Sequence, residues 1–144
     1  MRHATSEMNE SLDGKNKDKA HLGYFDIALD PNLKDAPLSE DGIREVHAQR
    51  ELLRTLNIKL IVTSPMRRAV MTSIETGLEV PIVCLPDLRE RMSYKNTWCH
   101  SKQAIKEMFP IVDVNHLDDE YWFLKCLRNA PLREELVQMC KSSS

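Results

Sequence analysis

The clearest pattern of hydrophobic and polar positions lies in the middle of the chain. Ser39 is a suitable helix N-cap, acidic residues follow it, and apolar residues from Ile43 to Leu56 recur at helical spacing. We therefore predict a helix over residues 39–55. The apolar run at residues 58–62 then predicts a short buried strand that ends at Ser64-Pro65.

A second helix and a second strand follow directly. Pro65 suits the beginning of a helix, and Gly77 is the residue type that commonly follows the end of one. The apolar residues 81–85, closed by Pro86, predict another short strand. This order of helix, strand, helix and strand predicts an α/β fold with a parallel sheet.

The pattern is weaker on either side of this centre. Residues 7–19 are polar and charged, which predicts a surface loop. We predict a short helix over residues 103–108, a further helix over residues 117–127, and a last amphipathic segment that Pro131 opens. The chain has 144 residues and no internal repeat, so we expect a single domain over residues 1–144.

Composition excludes several classes of protein. The chain carries 20 basic and 22 acidic residues, a formal charge of −2, which argues against non-specific nucleic-acid binding. Its longest apolar stretch is far too short to span a membrane, and we see no signal peptide, so we expect a cytoplasmic protein. The four cysteines lack Cys-x-x-Cys spacing, which predicts reduced thiols rather than disulfides or a zinc site.

Candidate chemistry begins at Arg2-His3. An imidazole nitrogen can attack a phosphoryl group and hold it covalently, and an arginine side chain can hold phosphate oxygens through paired hydrogen bonds without losing its proton. Phosphoryl transfer depends mainly on positioning and charge neutralisation, so several arginines around one histidine are the expected pattern. Taken alone, Arg2-His3 is only a polar dipeptide, and the hypothesis depends on two later segments.

These segments are Thr63-Ser64-Pro65-Met66-Arg67-Arg68-Ala69 and Leu88-Arg89-Glu90-Arg91. With Arg2-His3 they resemble the histidine phosphatase superfamily, which includes the cofactor-dependent phosphoglycerate mutases. The resemblance covers residues 1 to about 122 and implies a three-layer α/β/α fold with a mostly parallel sheet. Residues 24–26, 37–42 and 109–113 look like the plant and fungal phosphoglycerate-mutase-like proteins.

The resemblance implies a role for individual residues. His3 would be the nucleophile, Glu90 the proton donor, and Arg2 and Arg68 the ligands of the phosphate. Two further candidates for phosphate binding are Ser6 and Asn9.

For two of these residues an alternative stays open. Glu90 lies between Arg89 and Arg91 and can equally be an exposed carboxylate. Arg67 and Arg68 can be a basic first turn on a solvated helix, although the helix dipole disfavours that placement, and this mismatch favours a ligand for Arg68. Arg67 is expected at the surface or as an outer contact of the ligand.

The family pattern also includes an apolar strand before the Arg-His pair and a C-terminal strand that carries a second histidine. Here only Met1 precedes Arg2, and no histidine follows Pro131. We therefore expect an incomplete domain with a depleted sheet and little turnover. His100 and His116 do not follow strand-like runs, so neither is expected to replace the second histidine.

Two hypotheses of function remain open. The first is a phosphatase or mutase-like enzyme that acts on a small phosphorylated substrate through phospho-His3, with no cofactor and no metal. The second is a catalytically inactive anion-binding or regulatory relative. The sequence contains neither the glycine-rich phosphate loop of a cysteine-based phosphatase nor that of a Walker-type nucleotide site, so we expect neither function. The substrate and the oligomeric state cannot be deduced from the sequence.

Overall fold

The computed structural model describes residues 3–13, 33–89 and 99–117. In these residues the elements are, in chain order, helix α1 (Glu7–Leu12), helix α2 (Glu40–Thr55), strand β1 (Ile61–Thr63), helix α3 (Arg67–Glu75), strand β2 (Ile82–Cys84), a 3-10 helix (Pro86–Leu88), helix α4 (Lys102–Met108) and strand β3 (Val112–Asp113).

The three described strands form one parallel sheet in the order β1-β2-β3. Ile61 pairs with Ile82, and Ile82 pairs with Val112. Helix α3 connects β1 to β2, as parallel neighbours require a crossover. The prediction of an α/β fold with a parallel sheet is confirmed. Strand β3 was not predicted, because two residues are too few to show a period.

The main hydrophobic core fixes α3 against the sheet. Val70 of α3, Cys84 of β2 and Ile105 of α4 have no exposed surface. Each fully buried aliphatic side chain of this kind contributes about 1.5–3 kcal/mol to stability. The buried members of this core are Met66, Val70, Ile82, Cys84, Cys99, Ile105, Val112, Val114 and Leu117. Because this core holds α3 against the sheet, it also fixes the position of the polar residues of α3, which include Arg68 and Thr72.

Helix α1 corrects the prediction of a surface loop at residues 7–12. Ser6 and Asn9 form a capping box at its N-terminus, which supplies partners for the first backbone N–H groups. Met8 and Leu12, one turn apart, pack on a second small cluster formed by Leu33 and Ala36. The composition of this segment hid a short amphipathic helix. The rest of the predicted loop, residues 14–19, lies outside the described residues.

The other predicted elements are confirmed with shorter bounds. Helix α2 has Ser39 as its N-cap, but Leu56, which we expected on its apolar face, is 51% exposed. The predicted strand 58–62 pairs only from Ile61 onward. Helix α3 ends before Gly77, which has a positive φ of 68°.

Three further expectations can be compared with the described residues. Helix α4 confirms the short helix predicted over residues 103–108. Cys84 and Cys99, the two cysteines within the described residues, are buried and form no disulfide with each other. The segments predicted beyond residue 117 lie outside the described part of the chain. Among the described residues, no helix has both the length and the apolar character needed to cross a bilayer.

Candidate active site

His3 and Arg68 meet although 65 positions separate them in the sequence. The Nε–H of Arg68 donates a hydrogen bond to Nε2 of His3 at 2.9 Å. Arg68 is 9% exposed and His3 is half-buried, so the contact is partly shielded from water. The predicted proximity of the histidine to this arginine is therefore present in the structure.

The partners of the His3 ring fix its protonation state. Nδ1 lies 2.7 Å from the carbonyl oxygen of Ala4, which can only accept, so Nδ1 carries a proton. Nε2 faces the guanidinium of Arg68, which can only donate, so Nε2 carries none. These two contacts correspond to the neutral tautomer with its proton on Nδ1 and with the lone pair of Nε2 directed towards Arg68. A neutral imidazole with its second nitrogen bonded to a carbonyl has the state that nucleophilic attack requires.

Thr72 connects the backbone beside His3 to helix α3. Its Oγ1 donates to the carbonyl of Arg68 at 2.7 Å and accepts from the backbone N–H of Ala4 at 3.2 Å. Thr72 lies one helical turn after Arg68 and is buried. The same helix therefore positions both the guanidinium and the main chain that carries the histidine.

Helix α2 holds this segment from the other side. The carbonyl of Thr5 accepts from the backbone N–H of Ser39 at 3.1 Å and from its hydroxyl at 3.2 Å. The carboxylate of Glu45 accepts from the backbone N–H of Thr5 at 3.1 Å and from its hydroxyl at 2.7 Å. Gly42 allows the close approach, since a Cβ at this position would lie 2.0 Å from the carbonyl oxygen of Thr5.

His3 and Arg68 line a common cavity of about 470 Å³. It opens at the carboxyl end of β1, the end at which parallel α/β sheets generally place their ligand sites. The hydroxyl-bearing residues Thr63, Ser64, Thr72 and Ser73 line the same space. Its apolar lining consists of Ile61, Val62, Met66, Ala69 and Leu88. A cavity with one guanidinium, one neutral imidazole and several hydroxyls can accommodate a small anion.

The other predicted site residues are placed differently. Arg2 and Glu90 lie outside the described residues. Ser6 and Asn9 bond to each other: Oδ1 of Asn9 accepts from the hydroxyl of Ser6 at 2.8 Å and from its N–H at 3.1 Å. They are not among the residues lining the cavity. Their described contacts are those of a helix cap.

Arg67, expected at the surface or as an outer contact, is partly buried. Its backbone N–H is the first of α3, and its Nε is buried. Its backbone N–H donates to Oδ1 of Asp35 at 2.9 Å. The contact with Asp35 was not expected, because nothing in the sequence around position 35 indicates a contact with α3.

Asp35 is the most unusual polar residue near the site. Its side chain is fully buried, and its backbone has a φ of 45°, in the left-handed region that few residues other than glycine adopt. Burial raises its pKa from 3.8 to about 6, opposed by the Arg67 N–H and by the charges of Arg68 and Arg67. A sequence signal was weak, since Asp35 precedes a proline-containing turn and contacts a residue 32 positions later.

This raised pKa predicts that stability depends on pH. The folded protein keeps a proton on Asp35 between pH 4 and 6, where the unfolded chain has released it. The free energy of unfolding therefore falls as pH rises through this range, by on the order of 3 kcal/mol. We expect Asp35→Asn to lack this loss. Urea unfolding at pH 4 and pH 7 should show the variant gaining stability relative to the wild type at the higher pH.

The difference in the free energy of unfolding between wild type and variant removes the contributions of the other groups that titrate in this range. A wild-type-to-variant difference that is the same at both pH values would contradict the prediction.

The groups that face Asp35 from the neighbouring segment are Cys99 and His100. Burial, together with the charge of Asp35, raises the pKa of the Cys99 thiol to about 12, against the opposing effect of Arg89 and Arg68. Burial also lowers the pKa of His100, together with the charges of Arg67 and Lys34. Neither Cys99 nor Cys84, whose pKa burial raises to about 12 as well, is a thiolate nucleophile at neutral pH. Among the described residues, no group of three or more histidine, cysteine and acidic side chains could hold a metal ion.

Comparison with known proteins identifies the family. The model of the histidine phosphatase superfamily, branch 1, matches residues 1–123. None of the curated proteins matches the chain. The family match includes the segments of His3, Arg68 and Glu90, and the parallel sheet with its helices agrees with the α/β fold of this family. The chain belongs to the histidine phosphatase superfamily, and its general function is therefore that of a phosphatase or mutase-like protein.

Proposed function

We propose that this protein binds a small phosphomonoester in the cavity at His3 and Arg68 and transfers the phosphoryl group to Nε2 of His3. The observation that carries the proposal is the 2.9 Å hydrogen bond from Arg68 to an imidazole nitrogen that bears no proton. A guanidinium beside a neutral imidazole supplies both an anion ligand and a nucleophile.

The reaction has two steps, phosphorylation of His3 and hydrolysis of phospho-His3. In the first, the lone pair of Nε2 attacks phosphorus, the bond from phosphorus to the ester oxygen breaks, and the leaving oxygen takes a proton from an acid. In the second, water attacks the phosphorus of phospho-His3, gives a proton to the conjugate base, and releases inorganic phosphate and the neutral imidazole. Arg68 compensates the charge that develops on the phosphoryl oxygens in both steps.

Glu90 is the acid that we assign to the leaving oxygen. Support comes from Leu88, which lines the same cavity as His3 and Arg68. Glu90 follows Leu88 by two positions in the sequence. Arg2 is adjacent to the nucleophile in the chain and is the second phosphate ligand in this proposal.

The test is to trap the intermediate. The protein is mixed with a generic aryl phosphomonoester, quenched in alkali that preserves phosphohistidine, and digested for mass spectrometry. We expect a phosphoryl group on His3 in a single turnover, no label in His3→Ala, and unchanged label in His116→Ala, which removes an exposed histidine.

Two results would contradict the proposal in different ways. Phosphate binding that depends on Arg68 but never labels His3 would favour the second hypothesis, an anion-binding relative without catalysis. Labelling of another residue, or neither binding nor labelling, would exclude His3 as the nucleophile.

A further inference from the structure

The N-terminus of α3 lacks the groups that normally stabilise a helix start. The side chain of its N-cap, Met66, does not cap the helix, and the first turn holds two arginines and no acidic residue. The N-terminal end of a helix dipole is positive, so this arrangement of charges is unfavourable. The mismatch favoured a ligand on sequence grounds alone. The structure shows that a carboxylate from another segment already compensates part of it.

Asp35 provides that carboxylate. Its Oδ1 accepts from the N–H of Arg67, the first residue of α3 and one of the helix-start N–H groups that have no partner within the helix. It interacts electrostatically with the charges of both Arg67 and Arg68. The other carboxylate oxygen, Oδ2, is buried without a hydrogen-bond partner and lies 3.9 Å from Nε2 of His100.

The turn that carries Asp35 is tied to the segment of His3. Leu33 and Ala36 pack on two apolar residues of α1. The carbonyl of Pro37 accepts from the N–H of Glu7 at 3.1 Å, and Leu38 forms a bridge with Ser6. Asp35 is therefore the point at which the framework of the histidine touches the start of the helix that carries Arg68.

The backbone of Asp35 supports a specific role for this residue. A left-handed conformation costs a residue other than glycine roughly 1–2 kcal/mol, and the neighbouring structure must maintain it. Burial of a carboxylate with one unsatisfied oxygen adds a further cost. Two unfavourable features at one residue, directed at the N-terminus of α3, indicate a requirement for position rather than for stability.

We propose that Asp35 is a positioning residue which caps α3 from a distance and thereby holds the guanidinium of Arg68 against His3. The role rests on the proposed function, because the helix so placed is the one that would bind phosphate. Asp35 itself touches neither the nucleophile nor the cavity. Its effect passes through the backbone N–H of Arg67.

Two variants with the same charge separate this role from an electrostatic one. Asp35→Asn keeps an oxygen that can accept from Arg67, whereas Asp35→Ala removes the acceptor, and both lose the negative charge. Asp35→Gly also removes the acceptor but adopts a φ of 45° without strain, so it replaces Asp35→Ala if that variant does not fold. Glu51→Gln removes one exposed negative charge from α2 and serves as the control.

The first measurement needs no ligand. Hydrogen exchange of the Arg68 Nε–H, followed by nitrogen-15 NMR, reports the bond to His3 directly. We expect slow exchange in the wild type, in Asp35→Asn and in Glu51→Gln, and exchange at least about tenfold faster in Asp35→Ala or Asp35→Gly, because a displaced helix start breaks this bond.

The second measurement is the affinity for inorganic phosphate by calorimetry. We expect Asp35→Asn to bind within about threefold of the wild type and the acceptor-less variants to bind roughly tenfold more weakly, since a helix start without its cap no longer fixes the arginine. Rescue by the asparagine distinguishes positioning from charge.

The outcomes distinguish the two proposals. Equal exchange of the Arg68 Nε–H in Asp35→Asn and in the acceptor-less variants would overturn the role of Asp35. A wild type that binds no phosphate would contradict the proposed function, while the exchange measurement would still decide the role of Asp35.

Discussion

We expect Gly42→Ala to cost about 3 kcal/mol of stability and to displace His3. The added Cβ would lie 2.0 Å from the carbonyl oxygen of Thr5, and both groups belong to backbone rather than to flexible side chains. Overpacking of this kind costs roughly 1–3 kcal/mol or more. The sign is opposite to the usual one, because Gly→Ala inside a helix ordinarily stabilises by about 0.5–1 kcal/mol.

The displacement should reach the nucleophile. If the carbonyl of Thr5 moves, its hydrogen bonds to Ser39 are lost, and the pair that Thr5 makes with Glu45 is distorted. His3 is two residues away. Urea unfolding should show the loss of stability, and single-turnover trapping should show slower formation of phospho-His3.

The matched control is Ala48→Gly on the same helix. Ala48 is exposed, so this variant should cost about 1 kcal/mol through helix propensity alone and leave the trapping rate unchanged. If Gly42→Ala were as stable as the wild type, the expected clash with Thr5 would be contradicted. If it were unstable but formed phospho-His3 at the wild-type rate, the expected displacement of His3 would be contradicted.

The second large effect concerns Arg68→Lys, which should slow the formation of phospho-His3 by about 10²–10³. Lysine keeps the charge but loses the planar set of donors that, in the proposed function, binds the phosphoryl oxygens. The removal of one preorganised donor from a transition state typically costs a rate factor of this size. Rapid-quench measurement of the label on His3 gives the rate.

Arg67→Lys is the control for this substitution. It changes the neighbouring arginine of the same turn but retains the backbone N–H that bonds Asp35, so the rate should stay within about threefold of the wild type. Similar losses in both variants would show that the turn needs positive charge in general rather than the guanidinium of Arg68.

The elements that the sequence predicts best are those whose burial follows a period. Helix α2 has a capping serine and a regular apolar face, and β1 is followed at once by Ser64-Pro65, so both could be located. Helix α1 was missed because six residues carry only two apolar positions, whose partners lie more than 20 residues further along the chain. Strand β3 consists of two residues and depends entirely on its neighbour β2.

The residues of the candidate site also differ in how far the sequence predicts them. The proximity of His3 and Arg68 was predictable, because each lies in a segment with a family resemblance of its own. Asp35 was not, since its single contact with α3 depends on tertiary structure. Gly42 offered a partial signal: glycine is a poor helix former, and its presence in the first turn of an otherwise regular helix indicates a close approach.

The hydrogen bond between Arg68 and His3 has a chemical consequence for selectivity. In the resting arrangement the only basic lone pair of the ring is already engaged, so a stray electrophile that lacks negative charge meets a masked nitrogen. In the function that we propose, an anion that binds the guanidinium draws it away from Nε2 and thereby exposes the electron pair that attacks phosphorus. Under that proposal, binding of the reactant and exposure of the attacking atom are a single event, so a reagent without negative charge would not free Nε2.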